Sequence, residues 1–219
     1  MNSERSAHRG RFEVAHLWIT TATGLVALGI SLYNFATLQR VPEVDVQLPH
    51  LVRIEPRAPG HTVHLFLQPT ISTRIRTEDV EVITDAGLKL NPADAGVRVP
   101  SFYWNESGDW VYDFEANQVN YRRVADPTPL VVSQDKPQQP TILFHANDWA
   151  FGKGRYEGSL ILHRASSREP ITKAFCIEVS DDALKAFSGA PERTFFELRN
   201  DVPELESKAA GSSCYHFQV

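Results

Sequence analysis

Between Glu13 and Arg40 the mixture of polar and apolar positions that marks the rest of the chain stops. From Val14 to Gln39, 26 residues run without an Asp, Glu, Lys or Arg. As a helix, a stretch of that length reaches about 39 Å, more than the roughly 30 Å hydrocarbon core of a bilayer. It predicts one transmembrane helix with its ends in the headgroup region. Trp18 and Tyr33 stand near those ends, where amphipathic rings favour the interface, and His16 falls at the entry. Thr20, Thr21, Thr23, Gly24, Gly29 and Ser31 dilute the apolar run. Their hydroxyls are tolerable in lipid when each bonds the carbonyl one turn back. Thr23, Ala27 and Ser31 recur every four residues as a small-residue stripe, a pattern that lets a second helix approach.

Beyond Arg40 the period changes to two, the mark of half-buried strands. Val44, Val46 and Leu48 alternate with Asp45 and Gln47, and Leu51 to Ile54 continues after Pro49. Further strands are expected over 63–67, 80–84, 119–124, 141–145, 156–163 and 175–179, with turns at Pro56–Gly60, Asp85–Gly87, Asn91–Gly96, Gly152–Gly154 and Ala165–Pro170. Pro127, Pro129, Pro137 and Pro140 confine Leu130–Val132 to a short peripheral strand. Ser180 is a good N-cap, Asp181 and Asp182 suit a first turn, and Gly189 closes a short helix. Thr194–Leu198 reads as one more strand or a docked segment. Short strands between Pro/Gly turns, with no intervening helices, predict an all-β fold. The expected form is an antiparallel β-sandwich, immunoglobulin-like in shape but without an antibody domain's Cys…Trp…Cys spacing. The chain divides into a short basic cytosolic tail (1–13), a transmembrane signal-anchor helix (14–39), the sandwich (40–180), and a short helix plus C-terminal tail packed on the domain (181–219).

Charge adds a direction. Arg5, Arg9 and Arg11 precede the span, whereas Arg40 follows it at once and Glu43 and Asp45 come next among the charges. The basic excess predicts a single-pass protein with its N-terminus cytoplasmic and its C-terminal domain extracytoplasmic. Gly29-Ile30-Ser31 has the form of a signal-peptide cleavage site, but the apolar run continues through Phe35 and Leu38, which favours an uncleaved anchor. A net charge of −5 with scattered Lys and Arg argues against nucleic acid and anionic headgroups as partners. The expected partners are the lipid bilayer, through residues 14–39, and a protein or a second copy of the chain.

Candidate chemistry is sparse. Phe102–Trp104 and Trp110–Phe114 flank Asn105–Asp109 and read as an aromatic β-hairpin. Trp104, Trp110 and Tyr112, with Asn105 and Asp109, are the ligand-binding candidates: rings stack on sugars and polar neighbours bond hydroxyls. The competing reading is core packing, which uses the same residues at the same spacing. Asn105-Glu106-Ser107 also matches the N-glycosylation pattern. Trp149 and Phe151 lie beside a turn and suit a domain cap or a partner surface. Cys176 and Cys214 are the disulfide candidates, available to pair if the domain lies outside the cytosol. His61 and His64, three apart on a strand, face opposite sides, and His145 and His163 lie in other strands, so no metal or cofactor is expected. Asp109, Asp113, Asp148 and Glu157 read as ordinary turn and surface carboxylates; there is no GxSxG, and Gly152-Lys-Gly154 lacks the P-loop pattern. These features favour a membrane-anchored binding or assembly module with no catalytic residues. An anchored carbohydrate- or cell-wall-binding module is the alternative, and an extracytoplasmic hydrolase the third reading.

Overall fold

The computed structural model describes residues 3–38, 43–57, 62–74, 80–94, 96–133, 136–189, 194–202 and 214–217. Helix α1 runs over Ser3–Leu38, 36 residues, so it begins well ahead of the apolar run and takes in the basic tail. The side chains of Arg5, Arg9 and Arg11 lie outside the described set. Within α1, His16–Thr37 is long and apolar enough to cross a membrane, and none of it is buried against the rest of the chain. The hydroxyls of Thr20, Thr21, Thr23 and Thr37 donate to the carbonyls of His16, Leu17, Ile19 and Tyr33 at 2.8–2.9 Å. Each hydroxyl is thereby satisfied within its own helix, as a hydrocarbon environment demands.

The rest is mostly strand. In chain order the strands are β1 (Val44–Gln47), β2 (Leu51–Arg57), β3 (Thr62–Leu67), β4 (Thr70–Thr73), β5 (Glu81–Pro92), β6 (Tyr103–Asp113), β7 (Gln118–Ala125), β8 (Leu130–Val132), β9 (Thr141–Ala146), β10 (Gly154–Arg164), β11 (Ile171–Val179), β12 (Phe196–Arg199) and β13 (Tyr215–Phe217). A second helix, α2 (Asp181–Gly189), lies between β11 and β12. The Ser180 hydroxyl accepts from the Ala183 amide at 3.2 Å, the N-cap its sequence promised, and Ala183 and Phe187 turn into the core.

Hydrogen bonding joins eleven strands into one sheet in the order β7-β6-β9-β3-β2-β12-β13-β11-β10-β5-β8, with β1 and β4 paired separately. The large sheet curls into a half-barrel. The all-β expectation thus holds, but the two packed sheets of an immunoglobulin-like sandwich are not the pattern observed. Curling lets one continuous sheet fold its inner face around a single core, which contains Ile54, Leu65, Leu90, Phe144, Leu160 and Ile177. Val46 from β1 and Ile71 from β4 join the same core. Nor is the sheet wholly antiparallel: β13 runs parallel to β11. One further expectation changes. Asp85–Gly87 is not a turn, because β5 continues through it, paired with β10 from Ile83 to Pro92. Beyond α2, β12 and β13 occupy the middle of the sheet and join its two halves.

Cys176 in β11 and Cys214, one residue before β13, are bonded as a disulfide. The bridge sits beside the register pair Ile177↔Tyr215 and ties the three-residue β13 to its parallel neighbour.

Candidate functional site

The expected aromatic hairpin does not form at Asn105–Asp109. Those residues lie inside the continuous strand β6, and the hairpin is made by β6 and β7, turning over Phe114–Asn117. The reason is a bulge. Trp104 pairs with Phe144 of β9, but the next β9 residue, Leu143, pairs with Glu106, leaving Asn105 as an extra residue. One extra residue reverses the alternation of faces. Trp104 therefore points into the core, 8% exposed, while Trp110 packs against Phe66 on the outer face. Tyr112 is exposed, hydrogen-bonded to Asn117 and ring-packed on Phe114. Asp109 is exposed beside Arg122 at 3.5 Å. Trp104 thus lies in the core, apart from Trp110 and Tyr112, which share the outer face of β6, so the three do not form one platform.

A different group does converge on the outer face. Phe66, Trp110, Tyr121 and Phe195 pack at steep ring angles, mostly edge to face, with ring centroids 4.9–5.5 Å apart, and the Arg53 guanidinium lies 4.4 Å from the Trp110 ring centroid. Gly108 makes this possible. A β-carbon there would overlap the Tyr121 ring and the Arg122 carbonyl, so only glycine lets the tyrosine lie across β6.

Beside the cluster opens a cleft of about 500 Å³, whose walls include Phe66, Phe195, Leu143, Asn105, Glu106, Tyr121 and Arg123. Its floor is a polar row set by strand register: Glu55 pairs with His64, and His64 with His145. Glu55 is 2% and His64 7% exposed. Glu55 Oε2 is 2.8 Å from His64 Nδ1, His64 Nε2 is 3.0 Å from His145 Nδ1, and His145 Nε2 is 2.6 Å from Asn147 Oδ1. The direction of the bonds along the row follows the tautomer of each ring and the orientation of the Asn147 amide.

The cleft wall carries the Glu106–Arg123 ion pair at 3.4 Å, and Arg123 also meets Asp126. Burial raises the Tyr121 phenol above its ordinary range, and the neighbouring Glu106 carboxylate adds to the rise. The Tyr121 hydroxyl is buried beside the Glu106 carboxylate.

The remaining sequence candidates lie elsewhere. Thr23, Ala27 and Ser31 sit on the exposed surface of α1, with the Thr23 hydroxyl spent on Ile19. Asp113 accepts two turn amides, Glu157 pairs with Arg155 at 2.7 Å, and Asp148 adopts a positive φ of 52° in a turn. Trp149 and Phe151 are buried against Tyr156 in the core. His163 is exposed on β10, and His61 lies outside the described residues. No group of three or more His, Cys, Asp or Glu side chains among the described residues has the geometry to hold a metal ion. What the sequence did not disclose is the Glu55–His64–His145 row: its members are 9 and 81 residues apart, and only strand pairing makes them neighbours.

Fold and site together define a mostly-β domain with an outer-face polar cleft, carried behind one apolar N-terminal helix. No protein-family model, no curated protein and no solved structure matches the chain.

Proposed function

We propose that the chain is a single-pass, membrane-anchored binding module, with its N-terminus cytoplasmic and its β domain on the other side of the bilayer, and with no reaction of its own. The observation that carries this reading is the His16–Thr37 stretch, whose apolar side chains find no protein surface to cover them. Leaving Leu17, Ile19, Leu25, Leu28, Ile30 and Phe35 each more than half exposed to water is unfavourable by about 25 cal/mol per Å² of apolar surface, a cost that insertion in lipid removes. Orientation is supported by the arginines before the span. The Cys176–Cys214 disulfide supports an oxidising compartment for the domain. The outer-face cleft is the binding surface in this reading, because it opens beside an aromatic cluster and is lined by Asn105, Glu106, Arg123 and His145.

The test is fractionation. The full chain should remain with membranes through high salt and alkaline carbonate and be extracted only by detergent. Deleting residues 14–39 should release it. Release of the full chain without detergent, or retention of the deletion variant, would refute the anchor. Protease treatment of sealed cells or vesicles should cut the β domain from outside; protection of that domain there would refute the orientation.

A further inference from the structure

We propose that the β domain lies against the bilayer that α1 crosses, with Phe114 and Tyr112 of the β6–β7 turn set among its zwitterionic headgroups. This rests on the reading of the chain as membrane-anchored, and it names the surface that the domain turns to its own membrane. The tether is the first observation. Helix α1 ends at Leu38 and β1 begins at Val44. An extended chain spans at most about 3.6 Å per residue, so Val44 stays within about 22 Å of the end of α1. The stretch able to cross a membrane ends at Thr37, so the start of β1 is held close to the bilayer surface.

Strand register identifies the end of the sheet that shares this position. Asp45, next to Val44, is 3.7 Å from Lys173 near the start of β11. On one wing, Ile171 of β11 pairs with Leu162 of β10, and Leu162 with Ala86 of β5. From there β5 runs back to Val82, paired with Val131 of β8, and to Val80 just ahead of the strand. On the other wing, the successive pairings through β13, β12, β2, β3 and β9 make β6 run opposite to β11. The end of β6 and the turn after it therefore lie toward the same end of the sheet. Phe114 in that turn is 86% exposed, the most of any large apolar side chain in the β domain among the described residues. Tyr112, Val80 and Val131 are exposed at this end too. The turn is built to present the ring: the Asp113 carboxylate accepts from the Glu115 and Ala116 amides, and Tyr112 packs edge to face on Phe114 at 4.9 Å. Aromatic rings at such a tip suit the membrane interface. The Asp113 and Glu115 carboxylates limit them to headgroup depth, since a charge in hydrocarbon is disfavoured. Arg74 and Lys173 are both paired with Asp45, and Arg122 with Asp109, so this end offers mixed charge, which fits zwitterionic headgroups rather than anionic ones.

The experiment uses the full chain in phosphatidylcholine nanodiscs. A photoreactive benzoylphenylalanine replaces one residue at a time: Phe114, Val131, Lys185 in α2 at the opposite end of the domain, or Leu28 within α1. Mass spectrometry after illumination reads covalent lipid adducts, and near-UV circular dichroism checks that each variant is folded. The expected result is lipid adducts from positions 28, 114 and 131 and their loss at position 185. If the position-114 variant does not fold, position 131 decides. The proposal is overturned if a folded position-114 variant gives no lipid adduct, if it crosslinks only to protein, or if position 185 gives adducts to the same extent. Adducts at position 28 with none at 114 remove this inference alone and leave the anchor standing. Absence of adducts at position 28 removes the anchored reading, and this inference with it.

Discussion

Reducing the Cys176–Cys214 bond should weaken the β domain by an amount the chain length sets. The two cysteines are 38 residues apart. Closing a loop of that size removes chain entropy from the unfolded state worth about 4 kcal/mol at room temperature. For a domain of this size, that difference moves the thermal midpoint by about 10 °C. The bond also has a local role, because it fastens β13, whose register on each side consists of two residue pairs: Ile177↔Tyr215 and Glu178↔His216 with β11, Leu198↔Phe217 and Arg199↔His216 with β12. The assay is urea unfolding of the full chain in micelles, followed by circular dichroism in the β-sheet band, with and without a reductant. Comparing one sequence in two redox states avoids the packing change that a Cys→Ala substitution would introduce. Hydrogen exchange adds a spatial readout, in which amides of β12 and β13 should lose protection before those of β3 and β9. A stability difference below about 1 kcal/mol would refute the loop argument. Uniform loss of protection would refute the seam.

Further outcomes follow from single residues. Gly108→Ala and Gly158→Ala should each destabilise the domain by about 1–3 kcal/mol in the same unfolding assay, because the added carbon meets Tyr121 and the Arg122 carbonyl in one case and the Phe175 ring in the other; a neutral result at either site would contradict the close approach. Glu55→Gln should cost about 1–3 kcal/mol by weakening its buried bond to His64, and should alter the His64 and His145 ring signals together in NMR spectra; a change confined to one ring would break the row. Burial raises the phenols of Tyr121, Tyr156 and Tyr215 above their ordinary value of 10.0, so the folded chain keeps protons that the unfolded chain loses. That contribution is complete below about pH 10 and declines as pH rises further, so these three tyrosinates should appear only with unfolding in an alkaline absorbance titration. Their ionisation ahead of unfolding would show that they are not buried.

Local signals in the chain were reliable where one element decides its own form. The uncharged run after Glu13, the Ser180 cap and the edge position of Leu130–Val132 between prolines are all readable without neighbours. The errors share one cause, which is pairing between distant segments. Asp85–Gly87 has turn composition, yet β10 supplies partners all along it and keeps the chain extended. Asn105 has no special composition; it bulges because β9 offers one residue where β6 offers two, and that shift puts Trp104 and Trp110 on opposite faces of the sheet. The cleft is legible only from register, since Glu55, His64, Glu106, Tyr121 and His145 come from five different strands. A three-residue strand such as Tyr215–Phe217 carries too little pattern to announce that it belongs in the middle of a sheet.

That central position has a consequence for how the chain is made. Synthesis delivers β2 and β11 before β12 and β13, the latest strands in chain order. Until those two arrive, the growing domain presents raw edges at β2 and β11, each a template for pairing with another chain. The interval is lengthened by the wait for Cys214, which must emerge before it can bridge to Cys176. A chain stalled or clipped after α2 would therefore lack the bond and both joining strands, and it would fail by sticking to its neighbours rather than by merely losing a tail.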